Sequence, residues 1–519
     1  MNGAVSLLST LYANDVDVCF SNPGTSEMHF VAALDAVPQF RGVLCLFEGV
    51  ATGAADGYAR VTNRPAATLL HLGPGLGNGL ANLHNARRAR TPVVNIVGDH
   101  ATYHSRFDAP LQSDIESISR GVSGWFRRSS RADDVAGDAR DAIAAAYGPP
   151  GQVATLVLPA DASWGELTST PTQWPRATQR LATTPAPQHI AAGLEALKTK
   201  NAVLFLGGDA VKKEALALAM SIAVATDCKV ITEVFPTNQD HGAGIAAPDR
   251  LIYLSEFAQS QLKDVQALVL FGSNEPVGFF AYPNVASRLV TADCEIISVA
   301  PPGTDSLMAL REMAAALKAP KFDVPSGERP SAPSGELTTA TLAQAVAATL
   351  PEDIVIVDEG NTSGVHLFNS MKFAPPHEWL TLTGGAIGFG LPNALGAAMG
   401  AGGRRVVCFE ADGSMMYTPQ ALWSMAREGV DVTVVGLSNR SYAILNLELQ
   451  RVGAVSEGAA SQRMLDLENP DLHLATIASS FGVPGVTVTT ADELTTALQR
   501  SFVTPGPTFI EAMLPKRFG

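Results

Sequence analysis

Short apolar runs of four to six residues, rich in Val, Leu, Ile and Ala, recur along the chain and alternate with longer stretches of helical spacing. A strand buried on both faces reads as such a continuous run, and this is the condition of a parallel sheet covered by helices. The pattern predicts strands at residues 16–20, 43–47, 67–70, 93–97 and 155–158 in the first third of the chain. Helical segments at 50–62 and 79–88 lie between them. Further strands are expected at 202–206 and 267–271, and then at 354–357, 405–409, 432–437 and 508–511.

Two Pro-, Thr- and Ser-rich stretches interrupt this alternation, at 163–188 and 318–337, and read as linkers. They divide the chain into units of 1–165, 189–318 and 338–519. The expected fold is α/β, with three doubly wound, mostly parallel-sheet domains in series. A length of 519 residues is too great for one ordinary core and agrees with that division.

Composition then removes several functions. The net charge of −14 and the absence of any basic run longer than a pair exclude a phosphate-tracking surface, so no nucleic-acid partner is expected. No apolar run reaches spanning length, and the N-terminal stretch lacks a basic leader, so no membrane association or signal peptide is expected. Cys19, Cys45, Cys228, Cys294 and Cys408 are scattered, without CxxC spacing. They read as buried apolar side chains in a reducing compartment, and the expected location is cytoplasmic.

The chemistry concentrates at strand ends. After the strand ending near Phe409 comes Ala-Asp412-Gly413-Ser414, and after the next strand comes Asn439. Asp and Asn on successive parallel strands place two hard oxygen ligands side by side at the sheet edge where open α/β folds bind ligands. One carboxylate and one amide suit Mg²⁺, which takes its remaining ligands from water and a bound phosphate. Gly413 permits close backbone approach to a diphosphate, and Ser414 stands where a helix start could help hold it. Taken alone, the same residues describe an ordinary strand-to-helix turn.

Glu48 falls directly after the expected strand at 43–47, at the head of the Ala- and Gly-rich segment EGVATGAADGYAR. A helix with so little charge in its first turns is buried or packed on a partner. The ordinary alternative is a glutamate favoured by the helix dipole. Thr383 to Ala398, TGGAIGFGLPNALGAA, is a glycine-dense loop leading into a helix with Pro392 in its first turn. The segments NPGTSEMHF (22–30) and LLHLGPGLGNGLANLHNA (69–86) each follow a strand with small polar residues.

These segments resemble, in the same order along the whole chain, the motifs of the thiamine-diphosphate-dependent superfamily of benzoylformate decarboxylase, pyruvate decarboxylase and acetolactate synthase. ADGS, a spacer of 25 residues and Asn439 match that family's GDG and paired-Asn fingerprint, with Ala411 and Ser438 replacing its first Gly and first Asn. The resemblance implies thiamine diphosphate and Mg²⁺ as cofactors. It makes Asp412, Asn439 and the Ser441 carbonyl metal ligands, with Gly413, Ser414 and Tyr442 at the cofactor. Asn361 and Thr362, in DEGNTS, would contact the diphosphate. Gly385 would line the cofactor, and Ile387 would wedge its two rings into a bent form. Glu48 would bond the aminopyrimidine and drive formation of the C2 ylid.

The match is nearest to benzoylformate decarboxylase. It puts Thr25 at a substrate-contacting position and His71 at a proton-transfer position. That enzyme's second active-site histidine has no counterpart here, where Phe279 and Phe280 stand instead. His100 and His104 are either polar groups near the same cleft or surface-loop residues.

The implied function is decarboxylation of a small-molecule 2-oxo acid through the ylid and an enamine, releasing an aldehyde. The alternative is a carboligase of acetolactate-synthase type that makes or breaks a 2-hydroxy ketone. FAD is not expected, because the middle unit lacks the segments that bind it in that class. A cofactor-binding but inactive subunit is a third reading, and it predicts loss of Glu48 or of the Asp412–Asn439 pair. The resemblance also implies a homodimer at minimum, and a homotetramer as the usual assembly, with each site shared between subunits. The uncharged 50–58 surface is the one indirect sign of such a partner in the residues themselves.

Overall fold

The computed structural model describes residues 1–454 and 458–516. The last three residues of the third expected unit, 517–519, lie outside the described residues.

Three α/β sheets carry the chain. The first comprises β1 (Val18–Ser21), β2 (Arg41–Leu44), β3 (Ala66–Leu70), β4 (Val93–Asp99), β5 (Trp125–Arg128) and β6 (Val153–Pro159), all parallel, in the order β2-β1-β3-β4-β6-β5. The second sheet begins with β7 (Ala202–Leu206) and β8 (Lys229–Thr232). The next strand, β9 (Gln239–His241), leaves it, and β10 (Asp249–Arg250), β11 (Ala267–Phe271) and β12 (Glu295–Ala300) complete it in the order β10-β8-β7-β11-β12. The third contains β13 (Ile354–Glu359), β14 (His377–Thr381), β15 (Val406–Ala411), β16 (Val432–Ser438), β17 (Gly485–Val488) and β18 (Thr508–Met513), ordered β17-β18-β16-β15-β13-β14-β9. Its six own strands are parallel; β9 adds antiparallel to β14 with His241 opposite His377.

Successive side chains of a strand point to opposite faces, and that alternation builds a core on each side of the sheets. Phe20, Val43, Leu70, Val97 and Val157 enter one core of the first sheet, while Cys19, Leu69, Ile96 and Leu156 enter the other. The core containing Phe20 is continuous with one face of the third sheet, through Val355, Cys408 and Val434. Ile356, Phe409 and Val435 face a separate core on the far side.

Two helices make that continuity. Every residue from Glu48 to Arg60 of the Glu48–Thr62 helix is buried. It lies on Gly390–Gly400 so closely that a Cβ on Gly57 would stand 2.0 Å from the Asn393 carbonyl oxygen, and one on Gly396 1.8 Å from that of Ala54. Asp56 and Arg60 clamp the crossing. Their side chains are fully buried and paired at 2.7 Å; Arg60 also donates to the Thr381 carbonyl at 2.7 Å, and Asn393 to Asp56 at 3.2 Å. The uncharged 50–58 surface is therefore covered by the same chain, and that sign of a partner subunit is withdrawn.

Expected boundaries move, two of them at the candidate site. β2 ends at Leu44 rather than residue 47, so Glu48 does not follow the strand directly. Phe47 is extended and caps the helix, its ring folded over Gly49. The second helix begins at Leu72, seven residues before the expected 79. Its glycines, unfavourable by propensity, are held by packing: Gly73 faces Ser113 and Gly79 faces Thr52 with no room for a Cβ. Among the described residues no helix is long and apolar enough to cross a membrane, and all five cysteines are free and buried.

Candidate active site

The first group of site residues gathers at the carboxyl edge of β1 and β3. Glu48 is buried at the head of its helix, and its Oε2 accepts from Asn78 Nδ2 at 3.0 Å. His71 follows β3 and caps the next helix. A Cβ on Gly75 would stand 3.0 Å from Glu48 Oε1 and 3.3 Å from His71 Cβ, so both residues flank one glycine. His71 Nδ1 lies 2.8 Å from Glu27 Oε2. Thr25 opens the short Thr25–Glu27 turn and is exposed; the hydroxyl bonded to Glu27 is that of Ser26, at 2.5 Å. His100 lies on this edge with its Nε2 buried and without a protein partner, and its ring is 5.4 Å from that of exposed His104. Burial, then the neighbouring His104 and His71, lower the His100 pKa.

The second group lies at the carboxyl edge of the third sheet, where β16, β15 and β13 are neighbours. Asp412 follows β15 as the first residue of the short Asp412–Met415 helix. Its Oδ1 accepts from the Gly413 amide at 2.8 Å and its Oδ2 from the Arg440 amide at 2.6 Å. Asn439 ends β16, with Oδ1 accepting from the Ser441 amide at 2.9 Å and Nδ2 donating to Ser363 at 3.0 Å. The Ser441 carbonyl accepts from the Ala443 amide at 2.8 Å. After β13, Asn361 adopts a positive φ of 47° and donates to Ser414 at 3.1 Å, with Thr362 beside it in the same turn. The Tyr442 ring covers Gly413 at the distance a Cβ would occupy.

The glycine-dense loop passes above this edge. Gly385 has a φ of +74°, and the Phe279 ring lies against it, 2.5 Å from where a Cβ would be. Phe279 comes from the segment between β11 and β12 and meets Phe235 and Phe280 edge to face and Tyr253 at a tilt. Ile387 packs at the margin of the shared core. Gly388 and Gly390 donate their amides to Glu359 at 3.0 and 2.5 Å. Glu410 is buried beside Glu359; burial pushes Glu359 up to about 7 and Glu410 well above the carboxylate range, so the two carboxyls are not both ionised near neutrality.

The residues fit a divalent cation with a diphosphate. Asp412 is 3% exposed, and burial pushes its carboxyl up to about 6. The Arg440 guanidinium pairs with Glu468 at 3.2 Å. A metal ion at Asp412 would offset its burial and keep it ionised. Among the described residues no three His, Cys, Asp or Glu side chains form a metal-binding group. One carboxylate, one amide and one backbone carbonyl would leave positions for a bound phosphate and water, which is the habit of Mg²⁺. Among the described residues no hydrogen bond or ion pair joins Glu48 to the Asp412 group.

Several participants were not found from the sequence. Glu27 was the more accessible, as an acidic residue inside a strand-end loop of small residues. Asn78, Ser363 and the Glu359–Glu410 pair carry no local signal, because their partners lie 30 to 76 residues away in the chain.

Residues 1–119 match the model of the thiamine pyrophosphate enzyme N-terminal TPP-binding domain, and residues 358–512 that of the C-terminal TPP-binding domain. A Mycobacterium tuberculosis protein, IlvX, provisionally named as an acetolactate synthase large subunit, is 51% identical over 100% of both chains. Benzoylformate decarboxylase of Pseudomonas aeruginosa is 28% identical over 95% of each chain. The thiamine diphosphate-dependent 4-hydroxybenzoylformate decarboxylase of Rhodococcus jostii RHA1 shares the fold, with a TM-score of 0.84 at 22% identity and 100% coverage of both chains. The two matched domains carry the two groups of the candidate site, Glu48 on one and Asp412 with Asn439 on the other, and the chain belongs to the thiamine pyrophosphate enzyme family.

Proposed function

We propose that the chain binds thiamine diphosphate with Mg²⁺ and decarboxylates a small 2-oxo acid, releasing CO₂ and an aldehyde. The observation that carries the reading is the pair Asp412 and Asn439, on adjacent strand ends, each side chain fixed by backbone amides. In this reading Asp412, Asn439 and the Ser441 carbonyl hold the metal. Asn361, Thr362, Gly413 and Ser414 bind the diphosphate. Gly385, Ile387 and Tyr442 seat the rings. Bound there, thiamine diphosphate supplies the carbon nucleophile for the 2-oxo carbonyl and a sink for the electrons left by CO₂. Glu48, held by Asn78, exchanges a proton with the aminopyrimidine. His71 handles protons at the substrate, with Thr25 beside it.

In this reading the site is completed between two copies of the chain. Glu48 of one copy would face Asp412 of the other, in a homodimer or a tetramer of two such pairs. Exposed Leu46, near Glu48, and exposed Met416 and Tyr417, just after the Asp412 helix, are apolar surface suited to that contact.

A second reading is transfer to another carbonyl, giving a 2-hydroxy ketone. The 51% identity to the protein provisionally named as an acetolactate synthase favours it. It would proceed without FAD. The second sheet's strand order reverses between β7 and β11, where a dinucleotide would sit. There Gly208 lies against Gly272, and the Glu233 carboxyl backs Gly207.

The test is to supply thiamine diphosphate and Mg²⁺ and offer a panel of 2-oxo acids, with and without aldehyde or 2-oxo acid acceptors. CO₂ release with an aldehyde product by NMR is expected. A hydroxy ketone as the main product would establish the second reading. A chain that binds no thiamine diphosphate with Mg²⁺ in a calorimeter would overturn both.

A further inference from the structure

Glu27 is a buried acid whose one ionisable partner is His71, among the described residues. Its side chain is 1% exposed, and its three partners are the Gly24 amide at 2.7 Å, the Ser26 hydroxyl at 2.5 Å and His71 Nδ1 at 2.8 Å. A backbone amide can only donate, so the Oε2 that receives it is an acceptor. With Glu27 as the carboxylate, Nδ1, bonded to the same oxygen, carries the hydrogen. The neutral ring is thereby held as the Nδ1–H tautomer, with the lone pair on Nε2.

The surroundings are cut to this pair. A Cβ on Gly98 would lie 1.7 Å from Glu27 Oε1, and one on Gly24 2.2 Å from His71 Nδ1. The His71 side chain is 23% exposed and shares Gly75 with Glu48. The other ionisable groups facing it are His100 and, behind that ring, His104 and Asp99, the last paired with Arg128. An isolated buried carboxylate is destabilising, and three donors with two glycines are spent to hold this one.

We infer that Glu27 is the positioning residue for His71: it fixes the hydrogen on Nδ1 and so makes Nε2 the atom that exchanges a proton with the bound 2-oxo acid or its product. This rests on the proposed reaction, and the test separates the two. In the full chain labelled with ¹⁵N-histidine, the His71 resonances are identified by their loss in a His71→Ala variant. The wild-type spectrum should show an unprotonated Nε2 and a protonated Nδ1 above the ring's pKa. Glu27→Gln should lose that single tautomer while binding thiamine diphosphate and Mg²⁺ within about threefold of wild type. Its kcat should fall about 10²-fold with KM little changed, and the limb of the pH–rate profile that reports His71 should shift or vanish. Glu27→Gln combined with His71→Ala should be no slower than His71→Ala alone.

Glu27→Asp keeps the charge. It should recover part of both the tautomer and the rate, which a purely structural role would not predict. A Glu27→Gln protein with the wild-type tautomer and pH profile, or a double variant slowed additively, would overturn the inference. Wild-type protein with the Nδ1–H tautomer but no turnover of any 2-oxo acid would overturn the proposed reaction and sustain the positioning by Glu27.

Discussion

At the scale of single residues, the site works by fixing atoms that would otherwise be free to choose a partner. Glu48 has one oxygen bound by Asn78 and the other turned toward the glycine it shares with His71. Glu48→Gln keeps the shape and removes the exchangeable proton. We expect a fall in kcat of about 10³-fold, within the span of general acid–base effects, with an unchanged melting temperature. CO₂ release under saturating cofactor and circular dichroism would check this. Asp412→Ala acts at the opposite pole. It should weaken thiamine diphosphate binding in the presence of Mg²⁺ by more than about tenfold by calorimetry, because in the proposed site a hard cation would lose its one charged protein ligand. Asp56 differs from both, since it holds the frame. Asp56→Ala leaves the Arg60 guanidinium buried without its ion partner, and a loss of about 3–5 kcal/mol in urea denaturation is expected.

At the scale of elements, the crossing of Glu48–Thr62 with Gly390–Gly400 decides where the site residues stand. Both helices are rich in Gly and Ala, and their backbones touch at Gly57 and Gly396. Gly57→Ala or Gly396→Ala adds a methyl against a carbonyl that cannot rotate away. Each should lower stability by at least about 1–3 kcal/mol, the usual cost of overpacking. Gly137→Ala is the control. It lies in the Val135–Tyr147 helix with nothing within 4 Å of the added methyl, and should stabilise by up to about 1 kcal/mol.

The β9–β14 pairing carries a pH dependence. Burial pushes His241 down to about 3 and His377 down to about 4. Arg250 and Lys372 add positive charge around His241 and lower it further. Both rings are neutral in the fold, while the unfolded chain protonates them near their ordinary pKa. Their contribution is complete above about pH 6.5 and is lost as pH falls toward the folded values, at about 1.4 kcal/mol per pH unit for each ring. Melting temperatures from pH 7.5 to 5 should therefore fall more steeply in wild type than in His241→Gln.

At the scale of the whole molecule, the first and third sheets share one core, and β9 straps the middle segment to the third sheet. Among the described residues no hydrogen bond or ion pair joins the two poles of the candidate site within one chain, and in the proposed reading a second copy completes it. Co-expression of Glu48→Gln with Asp412→Ala tests this. If sites form between copies, each mixed dimer has one intact site, and random pairing restores about a quarter of wild-type sites. If each chain makes its own site, both variants are dead in any mixture. Sedimentation showing an active monomer would also end the shared-site reading.

The sequence by itself determined the family and most of the central strands, left β5, β8, β9, β10, β12, β14 and β17 unread, and named both poles of the proposed cofactor site. Those features are local. A hydrophobic run reports its own burial, and consecutive parallel strands β15 and β16 lie side by side, so Asp412 and Asn439 had to meet. Element ends were less legible. β2 stops at Leu44, and the helix at Leu72 runs through glycines that propensity disfavours, because packing overrides local preference at such positions. Only the tertiary structure decided which residues hold the others. Glu27 meets His71 across 44 positions, Ser363 meets Asn439 across 76, and Gly57 meets the Asn393 carbonyl from another domain's helix. A run of small residues says that some backbone will come close. Which one is settled by the packing of the whole chain, and here it was the chain's own.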